Sequence, residues 1–536
     1  MNQANFVFFL VFCVNWLDFL SKIVIYSARP FFSFAFSCIR LVCMRFPLDR
    51  ASSSPLYEQI AYHLRQSILS GNLAPGTRLP ASRVLARDLG VNRITVESAY
   101  AALEAEGLVA ARVGSGTYVL SPPALPVLPA KSPETVWPLW QQNLPVRSLG
   151  ARAAVEQLRR NAAHADLISF AGGIGDSHLF PAEEFRKVLQ AVMRRDGNQA
   201  LEYGDRRGYA PLRETIAHVL TTQGLHTSPE QVLVTAGSQQ ALALVSQVVL
   251  APGDTLLVEN PTYYGALDLF RALNFRLIGV PLDAHGMRVD LLEKQLQQHH
   301  PKLIYTIPNF HNPTGTCLTE ARRRALILLA DRYNVPILED DFVGDLRYEG
   351  RAQPALKALD PGGRVIHVST FSKMLMPGLR VGFIVADGPI YDALVRFKRV
   401  NDLATSSLIQ RALHDYVTVG RYQAHLRRSM QIFRKRRDAM LAALRRYLPP
   451  GWLAEIPQGG LFLWLKLPPG LLAGELLSLS VRHGVDFMPG HAFFLHASEG
   501  QDWIRLNFVV QDERRIEAGI QRLGQAMRAL ASTSSG

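Results

Sequence analysis

Between Pro55 and Leu69 the apolar residues Leu56, Ile60, Leu64 and Ile68 recur at every fourth position, which lays a single buried stripe along a helix. Gly71 ends that helix. A second, shorter helix is expected after Pro80, with Leu85 and Leu89 turned inward, and Gly90 supplies the sharp turn that separates two helices in a helix-turn-helix. Asn92 is placed to cap a third helix, which carries the apolar residues Ile94, Ala99 and Leu103 and ends at Gly107. Leu108 to Arg112 and Thr117 to Leu120 then pair as a hairpin, a wing, around Gly114-Ser115-Gly116.

Seven prolines fall between Ser121 and Pro145, a composition that favours extended chain over a packed element. Beyond Leu167 the pattern changes to short apolar strands separated by amphipathic helices. Strands are expected at Val232 to Ala236, Thr255 to Glu259, Leu303 to Ile307, Val335 to Asp340 and Val365 to Thr370. Such alternation implies an α/β fold with a mostly parallel sheet and ligands at the strand ends. From about Val395 the chain reads as long helix and then as strands around Gly460 to Leu467, a smaller α+β lobe. The expected division is therefore an atypical apolar extension over 1–47, a reader domain over 48–120, a proline-rich linker over 121–150 and an α/β domain over 151–533.

At 536 residues the chain is long enough for two or more cores. Its net charge of +13 permits a polyanionic partner without identifying one, since residues 48–120 hold only seven arginines against six acids. The first 43 residues contain nine of the 26 phenylalanines and a single acid, Asp18. They lack the basic start and cleavage site of a signal peptide, and Asn15, Asp18 and Arg40 interrupt them as a membrane span. Met44 is the expected true start. A membrane tether would depend wholly on this segment. The four cysteines, Cys13, Cys38, Cys43 and Cys317, show neither metal nor disulfide spacing, which points to a reducing cytoplasm.

Candidate chemistry gathers at Ser369-Thr370-Phe371-Ser372-Lys373, followed by Pro377-Gly378-Leu379-Arg380. A lysine flanked by hydroxyls and trailed by a glycine turn and an arginine suits an aldehyde cofactor with a phosphate tail. The amine forms a Schiff base, while the hydroxyls and guanidinium hold the phosphate. Asp340 closes an apolar strand, where a carboxylate can keep a pyridine nitrogen protonated; a helix cap would place it equally well. Asn312, in His311-Asn312-Pro313-Thr314-Gly315, can donate to a ring oxygen or simply form a turn. Gly237-Ser238-Gln239-Gln240 opens a helix after a strand and can hold a phosphate on its amides. Tyr263 offers a ring face for stacking, and Arg505 a fork for a carboxylate.

In order and spacing these motifs resemble the aminotransferases of fold type I, over roughly Leu167 to Leu530. The resemblance implies pyridoxal 5′-phosphate as cofactor, Lys373 as the Schiff-base lysine and Asp340 as the pyridinium partner. It places Asn312 and Tyr263 at the ring, Ser238, Gln239, Thr370, Ser372 and Arg380 at the phosphate, and Arg505 at an amino acid's carboxylate. Phe342 departs from the pattern, because relatives usually carry a tyrosine there whose hydroxyl bonds the ring oxygen.

Leu56-Tyr57-Glu58-Gln59-Ile60, Leu79-Pro80-Ala81-Ser82-Arg83, Leu89-Gly90-Val91-Asn92-Arg93 and Gly114-Ser115-Gly116-Thr117 resemble the GntR family of winged helix-turn-helix regulators. Recognition helices present their first residues to base edges, which points to Asn92, Arg93 and Thr95. Arg83 and the wing around Arg112 and Gly116 are placed for the DNA backbone. A small helical protein-interaction domain is the bland alternative. A second basic run, from Arg427 and Arg428 through Arg434, Lys435, Arg436 and Arg437 to Arg445 and Arg446, reads first as a solvated helix face and second as a further DNA contact.

A reader joined by a proline-rich linker to an aminotransferase-like domain resembles the MocR subfamily, also called GabR-like regulators. That resemblance implies a head-to-tail homodimer on operator DNA that senses an amino compound, or the cofactor itself, through the aldimine at Lys373. A working aminotransferase with an accessory reader, or residual transaminase activity in a regulator, is the competing expectation.

Overall fold

The every-fourth-residue stripe forms the expected helix Leu56–Leu69, in which Ile60, Ala61, Leu64 and Ile68 are buried. This chain is described by a computed structural model over residues 46–50, 52, 54–121, 166–373 and 375–534. The extension expected over 1–47 and the linker expected over 121–150 lie outside the described residues, apart from 46, 47 and 121. The chain divides into two units between Leu144 and Pro145.

In the first unit helices Leu56–Leu69, Ser82–Leu89 and Arg93–Ala105 enclose one small core with the hairpin of strands Val109–Arg112 and Gly116–Val119. Gly90 adopts the left-handed conformation at φ 66°, the turn its position requires. Asn92 caps the third helix by accepting from the Ile94 amide at 3.1 Å. Of the apolar residues carried by this helix, Ile94 does not join the core and is 68 % exposed. The buried face runs through Val96, Ala99, Tyr100 and Leu103, and Ile94 lies two residues, or about 200°, away from Val96 around the helix.

The second unit is built on an eight-stranded sheet. Across it lie Val232–Thr235, Gly382–Val385, Val365–Thr370, Ile337–Asp340, Leu303–Thr306, Thr255–Asn260, Arg276–Asp283 and Gly286–Met287. Five neighbouring strands, from Val365–Thr370 to Arg276–Asp283, are parallel, whereas Gly382–Val385 is antiparallel to both neighbours. Five strands, Val232–Thr235 at one edge with Gly382–Val385, Val365–Thr370, Ile337–Asp340 and Leu303–Thr306, are buried along their whole length, in keeping with their largely apolar sequences. A second sheet orders Leu453–Ala454, Phe462–Lys466, Trp503–Asn507 and Met488–Pro489 in antiparallel fashion, the smaller α+β lobe. The long helical stretch resolves into Pro389–Asp402, Ser407–Thr418 and Arg421–Tyr447.

Candidate functional site

Asp340 is the last residue of its strand, and the adjacent strand Val365–Thr370 leads three residues later to Lys373. Parallel pairing thus delivers both groups to one sheet edge. They line a cavity of about 350 Å³ together with Ser238, Tyr263, Asn312 and Arg505. Lys373 Nζ donates to the Gly173 carbonyl at 2.8 Å, so the amine is anchored above the sheet edge.

Asp340 is 3 % exposed. Its Oδ2 accepts from the Tyr305 hydroxyl at 2.9 Å, while its Oδ1 is buried without a hydrogen-bond partner among the described residues. Burial pushes the carboxyl up to about 7, against the opposing Tyr305 bond. The folded state therefore keeps a proton that the unfolded chain releases near pH ~4, and stability falls as pH rises from there to about 7. Thermal melts of the cofactor-free protein should show this decline, and Asp340→Asn should flatten it. A residual slope from Asp341 and Asp345 is expected, because burial raises both of these carboxyls as well. An unchanged slope in Asp340→Asn would refute the assignment.

The turn after Val232–Thr235 enters helix Ser238–Val249 through Gly237 at φ 95°. A Cβ on Gly237 would stand 2.7 Å from Arg380 Nη2, so only glycine lets the guanidinium lie against this turn. Arg380 Nη2 also donates to the Ala236 carbonyl at 3.1 Å. Ser372 Oγ is buried without a hydrogen-bond partner among the described residues. Two expected phosphate ligands have other tasks. Thr370 Oγ1 donates to the Val381 carbonyl at 3.0 Å and accepts from the Ser372 amide at 3.1 Å, which shapes the loop before Lys373. Gln239 donates through Nε2 to the Gly265 carbonyl at 3.0 Å, and its Oε1 lies 3.4 Å from the Tyr263 hydroxyl, which positions the tyrosine.

Arg505 is fully buried. Its Nη1 donates to Asn312 Oδ1 at 2.9 Å, its Nη2 donates to the Ala171 carbonyl at 2.8 Å, and its guanidinium lies 4.0 Å over the Phe462 ring. Because Asn312 spends its carbonyl on Arg505, its NH₂ is the end left for a ring oxygen. The loop bearing Asn312 is held by buried Arg323, which bonds the carbonyls of Pro308 and Leu318 at 2.9 Å each and Asn309 Oδ1 at 2.7 Å. Asn507 Nδ2 bonds the carbonyls of Gly172 and Ile174 at 2.9 and 3.0 Å. Arg505, Asn507 and Lys373 together pin the segment Ala171–Ile174 along the cavity.

A pyridine cofactor with an aldehyde and a phosphate fits this arrangement. The unpartnered Asp340 oxygen suits a protonated ring nitrogen, and the glycine cradle with Arg380 and Ser372 suits an anion. Phe342, without a hydroxyl, lines the cavity, so the departure noted in the sequence falls at the site itself. Sequence reading missed Tyr305, Phe462 and the Ala171–Ile174 segment. Tyr305 lies inside a fully buried strand and looks like any core aromatic. The glycine pair Gly172-Gly173 ahead of the first long helix was the available signal for the segment.

In the reader unit Arg93, Ile94 and Asn92 are exposed at the start of the third helix, with Thr95 half-buried beside them. Arg93 Nε donates to Glu97 at 2.7 Å and Ser82 Oγ donates to the same oxygen at 3.1 Å, which leaves the two Nη groups of Arg93 for a planar acceptor. Arg93 first, then Ser82, hold the Glu97 carboxyl below its ordinary value. Arg83 and Arg112 are exposed, the latter with its guanidinium 5.0 Å over the Tyr118 ring. Gly116 has a structural cause of its own: a Cβ there would meet Arg78 Nε at 2.8 Å.

The basic run on helix Arg421–Tyr447 is not one solvated face. Arg436 is buried against Asp176 at 2.9 Å and the Val509 carbonyl at 2.6 Å, and Arg437 is buried against Glu349 at 2.8 Å and the Pro457 carbonyl at 2.9 Å. These two arginines tie the helix to its neighbours, whereas Arg427, Arg428, Arg434, Lys435, Arg445 and Arg446 are exposed.

Residues 173–523 match the family Aminotransferase class I and II, and residues 56–119 match Bacterial regulatory proteins, gntR family. The chain is 38 % identical over 389 residues to aromatic-amino-acid aminotransferase 1 of Thermococcus litoralis, covering 71 % of this chain and 93 % of that protein. It is 34 % identical over 496 residues to the HTH-type transcriptional regulator TauR of Rhodobacter capsulatus, covering 90 % and 99 %. A crystal structure of Pyrococcus horikoshii kynurenine aminotransferase in complex with PMP superposes with a TM-score of 0.68 at 37 % identity, covering 73 % of this chain and 96 % of the other.

Proposed function

Since this chain belongs to the aminotransferase class I and II family and carries a gntR-family domain ahead of it, as the MocR-type transcription regulators do, we propose that it turns the binding of a small amino compound at Lys373 into a change in its grip on operator DNA. It is a DNA-binding transcription regulator whose cofactor is pyridoxal 5′-phosphate. When bound, the cofactor supplies an aldehyde that condenses reversibly with primary amines and a ring that withdraws electrons. Lys373 is the resident amine. Asp340, oriented by Tyr305, holds the ring-nitrogen proton, and the Asn312 NH₂ addresses the ring oxygen. Ser238, Ser372, Arg380 and the amides of the Gly237 turn hold the phosphate, with Gln239 and Thr370 shaping that site and Tyr263 beside the ring.

Arg505 carries the sensing reading. Its fork opens on the same cavity as Lys373, yet Nη2 is engaged by the Ala171 carbonyl and Lys373 by the Gly173 carbonyl. An effector carboxylate competes with the first of these acceptors. Ligand and segment Ala171–Ile174 therefore exclude one another at the same donors, and this gives the ligand unequal affinity for two arrangements, as a switch requires.

The reading extends to a homodimer in the cytoplasm, with a reader domain over 48–120, a linker over 121–150 and a cofactor domain over 151–533. No helix among the described residues is long and apolar enough to cross a membrane. Turnover as an aminotransferase is less favoured, because TauR shares the reader and the cofactor unit in a single end-to-end match. Operator affinity and footprint of the full chain, measured with and without cofactor and across a panel of amino acids, test the proposal. At least one amine should change affinity by about tenfold or shift the footprint, a coupling of ordinary allosteric size. Identical affinity and footprint under all conditions would sink it.

A further inference from the structure

The third helix of the reader unit, Arg93–Ala105, starts after the left-handed turn at Gly90 and is the second helix of the helix-turn-helix. Its core face is complete without Ile94, because Val96, Ala99, Tyr100 and Leu103 fill the interior. Ile94 stands outside, 68 % exposed, in the first turn. A β-branched residue is a poor choice for an exposed helical turn, since it loses side-chain freedom and gains no burial there. Scattered exposed apolar residues are ordinary on protein surfaces, so exposure alone assigns nothing. The neighbours decide the matter.

Arg93, next in the chain, is tethered through Nε to Glu97, which Ser82 also holds. The Arg93 fork is thereby presented from the same turn that projects Ile94, while Asn92 Oδ1 is spent on the cap. A first turn that offers a fixed guanidinium and a bare hydrocarbon side by side matches the two major-groove features that differ most, guanine's paired acceptors and thymine's C5 methyl.

We infer that Ile94 is a specificity-determining residue that reads a thymine methyl in the operator, in the base step adjoining the guanine bonded by Arg93. The inference rests on the proposed DNA-reading function of this unit. Burial of one methyl against Ile94 is worth a roughly fourfold change in affinity.

The full-length, cofactor-loaded protein is used to select a preferred duplex from a random pool, and each thymine within the footprint is then replaced by uracil, which removes only the methyl. At one thymine per half-site the exchange should weaken binding about fourfold for the parent protein and leave Ile94→Ala unchanged, with Ile94→Val in between. If no thymine shows this loss of sensitivity in Ile94→Ala while a duplex is still selected, the inference is wrong and DNA reading survives. Failure to select any duplex would overturn both.

Discussion

Lys373→Ala should lack the absorbance near the visible edge that the cofactor gains on covalent attachment to the protein. Its operator binding should no longer respond to any amine. The loss of the covalent chromophore is complete because no second lysine lines the cavity among the described residues. The fold should survive, since Lys373 is half-buried and lies in a loop outside the strands and helices of the core. Retained cofactor without the absorbance change would show that Ser238, Ser372, Arg380 and Asp340 bind independently of the covalent link. Spectra of the purified variant with added cofactor, read beside its operator affinity, provide the test. A variant that keeps both the chromophore and the amine response would refute the role of Lys373.

Arg505→Lys should raise the amine concentration needed for half-maximal response by about a hundredfold, corresponding to ~3 kcal/mol for a charge-assisted forked pair. The ammonium keeps the charge but not the planar fork, so it cannot serve Asn312 and a carboxylate together. Some loss of stability is also expected, because carbonyl oxygens of the Ala171–Ile174 segment lose a buried donor. Two measurements separate the effects: the thermal midpoint reports the fold, and titration with carboxylated against carboxylate-free amines reports the fork. Equal shifts for both classes of amine would show that Arg505 does not read a carboxylate.

The reader unit was legible almost element by element, because each helix there buries one stripe and turns at a glycine or a cap. Ile94 shows the limit of that reading. One apolar residue in a first turn satisfies a periodic pattern by eye, and only the neighbours packed against the helix show which of two angular positions faces the core. In the second unit the strands ending at Asp340 and leading to Lys373 were visible as apolar runs. The strands Arg276–Asp283 and Gly382–Val385 were not foreseen; the first is only partly buried, and the second follows the motif that drew attention to Lys373. The charged run on Arg421–Tyr447 looked uniform, yet Arg436 and Arg437 are internal, each paired with a carboxylate far away in sequence.

By itself the chain determined its two-part division, the lysine and carboxylate placed at strand ends, and the capped helix that begins at Arg93. Each depends on residues within a few positions of one another, where backbone geometry alone sets direction. Tertiary structure decided the convergence of Arg505 on Asn312 across 193 residues, the Tyr305 bond to Asp340, and the capture of Arg380 by the Gly237 turn. Such contacts join elements whose proximity follows from sheet order and lobe packing, and local periodicity carries no record of which distant surface a side chain will meet.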